Sequence, residues 1–545
     1  MPREPCLLGF DKDSVTGLMD YYEVTMADTN LVAGIAGRDA VFNAAVRRLG
    51  YHKVVGEDDF ISDGHSAVIN GKVRKFAKKQ ADLKGKKFNV DRVEKDNYLL
   101  GMGLEQILGM LSSWHMNDEL IAAFSERGLS QKTIDFFRSN RKLNLTVDAI
   151  PEGIPIFPHE PYLSIKGTFE QCQFPESLIL GTWGYQTAIA TQASYIINIL
   201  SEFGKTDVIT LEGGSRRAYP PAALAATRAT LAAGFKGTSN VEIVRQYPEL
   251  LYKIGGSSAH SAVLHIGNDF DAFELQLMAY FRINHGDSEA VKREKIRQTK
   301  GIGPTFLIDT FSSDSGLTAA IAVMKKYGIQ CQIRNDSNIT SDVVKKHRKE
   351  LNAAGLDKSR IMISNDLKPW IIYDLLEKGA EINSLLIGTF AVNPYRLPGA
   401  AYKLAAHQRG NDQTGKLENI CKVCIDEPSK GTLPGQLDVY RVIGKDGKAD
   451  RDVILSRGVD KIDDFLKHSD KHYMKLNQEV MRNGEITYDL PDMCAVIERT
   501  AEHLNMLRPE HKRFKGAKPY DVIISDTVKK IQESVHKKFV EKKLY

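Results

Sequence analysis

Residues 208–217 read VITLEGGSRR, a β-branched run that ends in two glycines, a serine and two arginines. The same ingredients, a short apolar run beside small, polar or charged residues and then a helical stretch, return several times before Leu404. The further apolar runs are Ala262 to Ile266, Phe306 to Ile308, Ile329 to Ile333, Ile361 to Ile363 and Leu385 to Ile387. Strands that alternate with helices predict a parallel sheet, and several such units in a row predict an irregular, TIM-like parallel α/β barrel.

The residues that follow the strands of such a barrel gather on one face, where ligands bind. Arginines there can clamp carboxylate or phosphate, and Gly-Thr turns suit phosphate oxygens, although such an arginine can also be structural and each turn taken alone is more often structural. Aspartates there can hold Mg²⁺ or sugar hydroxyls, although each can equally cap a helix. The candidates are Arg216, Arg217, Arg334, Gly237 to Asn240, Gly388-Thr389, Asp309, Asp336 and Asp366. Together they indicate a phosphorylated sugar as the ligand.

Two other features are chemically ambiguous. His260, beside Gly256 and Ser257-Ser258, is either a hydrogen-bonded structural histidine or a phosphoryl acceptor, because imidazole is a competent nucleophile. Cys421 and Cys424 have no second pair at metal-ligand spacing, so two ordinary thiols are expected, with zinc binding or redox chemistry as the alternative.

The chain divides into three predicted regions. Residues 1–147 are expected to form a mixed α/β domain with a basic insertion at 54–97, read either as a solvated loop or as a phosphate-binding or nucleic-acid patch. Residues 148–410 form the predicted barrel, and the polar residues 407–419 resemble a linker. Residues 411–545 are predicted to pack on the N-terminal domain, with a strand at Leu437 to Val442 and a Lys-rich helix after 520.

Bulk properties exclude several classes of protein. With 545 residues, 42% hydrophobic and 26% charged, the chain can bury a core in two or three domains. A net charge of +5 gives no reason to expect a nucleic-acid or membrane partner, and no apolar stretch is long enough to span a bilayer. Six scattered cysteines and a start, MPREPCLLGFDKDS, without signal-peptide character lead us to expect a cytoplasmic protein.

Several ordered motifs resemble the nicotinate phosphoribosyltransferase family over most of the chain. The resemblance begins at Asp20-Tyr21-Tyr22-Glu23-Val24-Thr25-Met26 and is strongest at Phe235 to Val241 followed by Gly256 to Ser261. The other matching segments are Asp148 to Gly153, Pro155 to Pro161, Tyr185 to Thr191, Ser364-Asn365-Asp366, Tyr402-Lys403-Leu404, and Thr432 to Gly435 with Val439-Tyr440-Arg441.

This resemblance implies a reaction that joins nicotinate to 5-phosphoribosyl-1-pyrophosphate (PRPP), with Mg²⁺, and couples it to ATP hydrolysis. It further implies a phosphohistidine at His260, a pyridine-stacking Tyr22 from the partner of a homodimer with shared sites, and Arg216 near the nicotinate carboxylate or the neighbouring phosphate. PRPP contacts are implied for Arg334 and Asp309, with Gly388-Thr389 around the 5-phosphate. The remaining implied substrate contacts are Gly256, Thr238, Ser337 and Asp336.

The chain departs from the family pattern at three places. Arg334-Asn335-Asp336-Ser337-Asn338-Ile339 lacks the glycine and the second aspartate of Arg-Leu-Asp-Ser-Gly-Asp. Gly213 replaces a pyridine-stacking phenylalanine, and Gln192 replaces a frequent lysine. Two alternatives therefore stay open: a nicotinamide phosphoribosyltransferase, and a degenerate relative that binds a nucleotide without turnover.

Overall fold

The computed structural model describes residues 3–49, 97–284, 286–298, 301–409, 416–424, 430–468 and 470–541, with four short strands between 51 and 95. Its helices are α1 (Tyr21–Ala33), α2 (Leu104–Ser113), α3 (Asp118–Glu126), α4 (Gln131–Ser139), α5 (Phe169–Gln173), α6 (Glu176–Glu202), α7 (Pro220–Ala232), α8 (Ile243–Gln246), α9 (His260–Ile266), α10 (Asp269–Tyr280), α11 (Glu289–Gln298), α12 (Ser313–Tyr327), α13 (Ser341–Ala353), α14 (Pro369–Glu377), α15 (Thr389–Val392), α16 (Met493–Met506), α17 (Pro509–Lys512) and α18 (Asp526–Glu541).

Its strands are β1 (Asp39–Val46), β2 (Tyr51–Lys53), β3 (Ser66–Ile69), β4 (Lys72–Lys75), β5 (Val93–Lys95), β6 (Leu99–Leu100), β7 (Thr146–Ala149), β8 (Pro155–Ile156), β9 (Pro161–Thr168), β10 (Ile209–Glu212), β11 (Gly237–Thr238), β12 (Thr305–Leu307), β13 (Gln332–Asn335), β14 (Arg360–Ile363), β15 (Ser384–Ile387), β16 (Ala400–Gln408), β17 (Leu417–Asn419), β18 (Leu437–Gly444), β19 (Ala449–Ser456), β20 (Asp470–Lys475), β21 (Gln478–Arg482), β22 (Glu485–Ile486) and β23 (Val522–Ile524). Most residues of the predicted insertion at 54–97 lie outside the described part of the chain. Two short antiparallel pairs are described in and beside it, β2 with β5 and β3 with β4.

A six-stranded parallel sheet in the order β11-β10-β15-β14-β13-β12 forms one half of the molecule. Helices α12, α13 and α14 connect β12 to β15 in sequence, which is the predicted alternation of strands and helices. The strands are apolar because helices cover the sheet; Ile333, Ile361 and Ile363 are fully buried. The parallel α/β prediction is therefore confirmed.

The predicted closed barrel, however, is not formed. The hydrogen-bonded ladder runs from β11 to β12, and the described residues contain no pairing that joins these two end strands. The sequence prediction placed a strand at Ala262 to Ile266, but this segment is the helix α9. Gly267 follows it with φ of 101° and closes the helix, a stop signal that the apolar run concealed. No strand from this segment takes part in the sheet.

The other half contains a seven-stranded antiparallel sheet in the order β17-β16-β1-β9-β7-β21-β22. It takes strands from both sides of the predicted boundaries at 148 and 410, since β1 pairs with β9 and with β16. The predicted linker at 407–419 is wrong at its ends, because His407 pairs with Glu418 in this sheet. The sheet and the helices that cover it share one hydrophobic core, which includes Phe42 stacked on Tyr402.

Helix α6 joins the two halves. Its first turns bury Leu178, Ile179 and Trp183 in the core of the antiparallel sheet, and its later turns bury Ile196 and Ile199 in the core of the parallel sheet. One rigid helix thus fixes the distance between the two sheets.

The C-terminal residues add a four-stranded sheet, β20-β18-β19-β23, and the helix α18. The predicted strand at Leu437 to Val442 and the predicted Lys-rich helix are both present. The buried Arg441 of β18 pairs with Asp452 and donates to the carbonyl oxygen of Pro155 at 2.9 Å, which ties this sheet to the N-terminal half. None of the helices in the described ranges combines the length and the apolar composition needed to cross a bilayer.

Candidate active site

The carboxyl ends of β12, β13 and β14 bring polar side chains from distant parts of the chain together. Loop residues that precede α9 join them from outside the sheet. We call this group the strand-end cluster; its members are Ser257, Ser258, His260, Asp309, Thr310, Arg334, Asp336, Ser337 and Ser364.

Arg334 is the buried cation of the strand-end cluster, with 9% of its surface exposed. Its Nε donates to the Ser364 hydroxyl at 3.0 Å, and its Nη1 donates to the Ser258 carbonyl at 3.2 Å and to the Ser257 hydroxyl at 3.4 Å. Its Nη2 lies 3.4 Å from Oδ1 of Asp336. The guanidinium is therefore held on several sides, an arrangement suited to a fixed phosphate or carboxylate contact.

Asp309, at the end of β12, has two carboxylate oxygens in different environments. Its Oδ2 accepts from the backbone N–H of Asp336 at 3.1 Å and from the Ser337 hydroxyl. Its Oδ1 is buried and has no hydrogen-bond partner among the described residues. An unpaired buried carboxylate oxygen is a place for a cation or a ligand hydroxyl. The described residues contain no group of three or more His, Cys, Asp or Glu side chains that could form a metal site on their own.

His260 is the first residue of α9 and faces the strand-end cluster. Its Nδ1 lies 3.1 Å from the Thr310 hydroxyl, and its Nε2 lies 3.8 Å from Oδ2 of Asp336. Its side chain is 41% exposed, so a ligand can reach it. Gly256, upstream in the same loop, is exposed and has no neighbour within 4 Å of the Cβ that a larger residue would add. Nothing in the described packing therefore requires glycine there.

The ends of β10 and β15 contact each other through their backbones. The N–H of Gly213 donates to the Ile387 carbonyl at 2.8 Å, and a Cβ at Gly214 would lie 2.5 Å from the carbonyl oxygen of Gly388. The exposed Thr389 and Arg216 follow these strands, and Arg216 has no hydrogen-bond or ion-pair partner among the described residues. A free cation and a Gly-Thr turn thus lie at the same edge of the sheet as Arg334.

Thr238 does not present its hydroxyl to a ligand. It donates to Oε2 of Glu212 at 2.5 Å, and both side chains are fully buried. Thr227 donates to the same oxygen at 3.0 Å. Glu212 therefore anchors the ends of β10 and β11, and the sequence analysis missed this role. The available signal was a carboxylate placed between a β-branched run and two glycines.

Tyr22 is not brought to the strand-end cluster within one chain. It lies on α1, which packs on α4 and α5, and it is 46% exposed. Desolvation and the neighbouring Glu176 carboxylate raise the pKa of its phenol. None of the hydrogen bonds or ion pairs of the described residues joins Tyr22 to a member of the strand-end cluster.

Two of the departures from the family pattern have structural explanations. Asn338 stands where the family has glycine and adopts φ of 49°, a left-handed conformation that asparagine tolerates better than most residues. At Gly213, a Cβ would lie 2.6 Å from Cδ1 of Leu386, so Leu386 occupies the space beside this glycine. Neither loop needs the family residue to keep its shape.

Gln192, the third departure, holds the segment that follows Gly388-Thr389. Its side-chain amide donates to the carbonyl oxygens of Phe390 and, at 3.0 Å, of Asn393, and its Oε1 accepts from the backbone N–H of Tyr395 at 2.9 Å. The residue is 6% exposed. One buried amide therefore fixes the chain directly downstream of the Gly-Thr turn.

A cavity of about 180 Å³ lies beside this segment and contains no member of the strand-end cluster. Its lining combines aromatic rings with cations and includes no carboxylate. The rings include Trp370, Phe390 and Tyr395, and the cations are Arg47, Arg48, Arg396 and Lys430. Such a lining attracts anions.

Comparisons with known proteins agree on one family. The nicotinate phosphoribosyltransferase C-terminal domain model matches residues 437–532. The chain is 26% identical to the nicotinate phosphoribosyltransferase of Bacillus subtilis (strain 168), over 95% of this chain and 94% of that protein. It is 24% identical to that of Homo sapiens, over 80% and 89% of the two chains.

The fold is similar to that of human nicotinic acid phosphoribosyltransferase, with a TM-score of 0.65, 19% identity, and coverage of 95% of this chain and 99% of the other. Nicotinate-nucleotide pyrophosphorylase from Pyrococcus furiosus gives a TM-score of 0.62 at 17% identity, with coverage of 91% and 97%. The chain is thus similar to nicotinate phosphoribosyltransferases along nearly its whole length and in the matched C-terminal domain, and it shares the mixed α/β fold of the two solved structures.

Proposed function

We propose that this protein transfers the 5-phosphoribosyl group of PRPP to nicotinate, which gives nicotinate mononucleotide and pyrophosphate in the salvage branch of NAD biosynthesis. The observation that carries the proposal is the buried Arg334, held between serines and Asp336 at the carboxyl edge of the parallel sheet. A guanidinium fixed in this way suits a sugar that carries phosphate groups.

The reaction requires groups that position the two substrates, and it needs no protein nucleophile that attacks carbon. The C1–O bond to pyrophosphate breaks, the electron pair leaves with the pyrophosphate, and the pyridine nitrogen of nicotinate donates a pair to C1. Positive charge grows on the ribose and negative charge on the leaving group, so fixed cations and dipoles lower the barrier. Arg334 would contact PRPP, Gly388-Thr389 would bind the 5-phosphate, and Arg216 would meet the nicotinate carboxylate.

Mg²⁺ fits this proposal. It commonly binds through one or two carboxylates plus substrate phosphates, and Asp309 offers the buried, unpaired Oδ1 for such a contact. The ion would supply charge neutralisation at the diphosphate. Asp336 and Ser337 hold the other oxygen of Asp309 and so keep Oδ1 directed away from them.

We further propose that ATP hydrolysis is coupled to synthesis through His260. The terminal P–O bond of ATP breaks, a P–N bond forms to the imidazole, and ADP leaves; water later cleaves the P–N bond and releases phosphate. The exposure of His260 and its place beside Asp336 and Arg334 support this step.

A homodimer with shared sites completes the proposal, in a cytoplasmic setting. Tyr22 would stack on the pyridine ring of the partner's substrate, because within one chain it lies away from the strand-end cluster. Its exposed ring is available for that contact.

Pyrophosphate release tests the function directly. Purified protein is given PRPP and Mg²⁺ with nicotinate, with nicotinamide or with neither base, each with and without ATP. We expect turnover with nicotinate, stimulated by ATP, and a strong loss in Arg334→Met but not in the exposed control Arg138→Met. Turnover with nicotinamide but not with nicotinate would favour the nicotinamide enzyme. Absence of turnover with either pyridine would favour the nucleotide-binding relative without catalysis.

A further inference from the structure

The side chain of Thr310 contacts one ring nitrogen of His260 within the strand-end cluster. Its hydroxyl lies 3.1 Å from Nδ1 of His260 and has no other hydrogen-bond partner among the described residues. The neighbouring Ser312 is used differently, because its side chain caps α12 by accepting from the backbone N–H of Ser315. The Thr310 hydroxyl therefore takes no part in capping that helix.

The two nitrogens of His260 have different surroundings. Nδ1 is held by the Thr310 hydroxyl, whereas Nε2 lies 3.8 Å from Asp336, beyond hydrogen-bond range. Oδ1 of Asp336 is engaged by the Ser364 hydroxyl and lies 3.4 Å from Nη2 of Arg334. Nε2 is thus directed towards the charged part of the strand-end cluster without a hydrogen bond of its own there.

An imidazole ring needs such a contact to have one defined orientation. A hydrogen bond to one ring nitrogen restricts rotation of the ring, and a hydroxyl can make it with either neutral tautomer, by accepting from Nδ1–H or by donating to a bare Nδ1. His260 is 41% exposed at the start of a short helix, so packing alone restrains its ring weakly. The single oriented group at Nδ1 is the Thr310 hydroxyl.

We propose that Thr310 is a positioning residue for His260: its hydroxyl holds Nδ1, fixes the orientation of the ring and keeps Nε2 turned towards Asp336. The ring orientation stands on the geometry alone. Its consequence for phosphoryl transfer rests on the function proposed above, because only then does the rate of His260 phosphorylation depend on how the ring is held.

The orientation is tested without any substrate. Protein labelled with ¹⁵N-histidine is examined by long-range ¹H–¹⁵N NMR, and His260→Ala identifies the His260 signals. At mildly alkaline pH we expect the Nδ1 shift of Thr310→Val to differ from that of the wild type, because its hydrogen bond is lost, and Thr310→Ser to keep the wild-type shifts. Thr318→Val, which removes an exposed hydroxyl on α12, controls for the substitution type.

The consequence is tested with ATP. Incorporation of one phosphoryl group into the protein, read by intact mass at alkaline pH, should slow about fivefold in Thr310→Val, the ratio that corresponds to one neutral hydrogen bond. Thr310→Ser should retain most of the wild-type rate. On the His260→Ala background, Thr310→Val should change the ATP-dependent rate no further, since the ring on which it acts is gone.

The outcomes separate the two proposals. Unchanged His260 shifts in Thr310→Val would overturn the positioning role whatever the enzyme does with ATP. Altered shifts with no phosphorylation of His260 in the wild type would leave Thr310 as a positioning residue and refute the ATP coupling. Equal loss of ATP-dependent and ATP-independent synthesis in Thr310→Val would show a general structural effect and would also count against the inference.

Discussion

Thr238 donates its hydroxyl hydrogen bond to Glu212 at 2.5 Å, and both side chains are fully buried. The Gly-Thr-Ser-Asn segment was predicted to be either a structural turn or a phosphate-binding turn, and the hydroxyl of Thr238 is committed to a carboxylate inside the protein. The pair locks the short strand β11 to β10. It therefore contributes to the shape of the site rather than to contact with the substrate.

Thr238→Val should lower stability, because Glu212 then loses one of two hydroxyl donors to a buried oxygen. We expect the free energy of unfolding in urea to fall by about 1–3 kcal/mol. Thr29→Val, which removes an exposed hydroxyl on α1, should change it little. Unchanged stability together with a large rise in the KM for PRPP would restore the original prediction of a ligand contact.

His260→Ala should abolish the stimulation of nucleotide synthesis by ATP and leave some basal synthesis. The phosphoryl acceptor is lost, whereas Arg334 keeps its contact with the Ser258 carbonyl and Asp309 keeps its contact with the backbone N–H of Asp336. Initial rates with and without ATP give the ratio directly. His265→Ala, on an exposed position of the same helix, is the matched control. Equal ATP stimulation in His260→Ala would refute the phosphohistidine.

Gln192→Ala should loosen the segment that follows Gly388-Thr389, since three backbone groups lose their partner. Displacement of a substrate-positioning turn is expected to raise the KM for PRPP by roughly 10-fold. The KM of Gln192→Lys should lie between those of the wild type and Gln192→Ala, because lysine donates hydrogen bonds but cannot accept one from Tyr395. Steady-state kinetics measure the KM for PRPP of both variants, with the exposed Gln131→Ala as the control. A KM unchanged in Gln192→Ala would contradict this role.

Glu23 predicts a pH dependence of stability. Burial raises the pKa of its carboxyl from 4.5 to about 7, even though Ser177 donates to it. The folded state therefore holds this proton more tightly than the unfolded state, so the contribution is greatest below about pH 4.5 and is lost as the pH rises through about 7.

Urea unfolding at several pH values between 5 and 8 tests this prediction. The decline in stability should be smaller in Glu23→Gln than in the wild type, by on the order of 1–3 kcal/mol across the window. The exposed Glu119→Gln should follow the wild type. Parallel curves for wild type and Glu23→Gln would show that Glu23 does not titrate in this range.

Local sequence signals predicted the strand ends well. Five of the predicted strand runs form parallel strands, and Asp309, Arg334 and Asp336 meet because parallel strands end at one edge. The run at Ala262 to Ile266 failed because its apolar residues fit a short helix as well as a strand, and only Gly267 distinguished the two. Pairings between distant segments, such as Thr238 with Glu212, have no local signal.

The departures from the family pattern at Asn338 and Gly213 show the same limit of prediction from local sequence. The loss of glycine at Asn338 looked damaging in the sequence, yet the backbone keeps a positive φ there. The loss of the aromatic side chain at Gly213 is matched by Leu386 from another strand. Compensation of this kind depends on which residues face each other across the sheet, and one sequence does not contain that information.

The position of β1 between β9 and β16 has a consequence for biosynthesis. When the chain emerges from the ribosome, β1 can pair with β9 early, but its other edge stays open until residues 400–408 have been translated. An unpaired strand edge is a template for wrong partners. The nascent protein must therefore shield this edge through most of its synthesis, and shielding by a chaperone should improve the yield of folded protein.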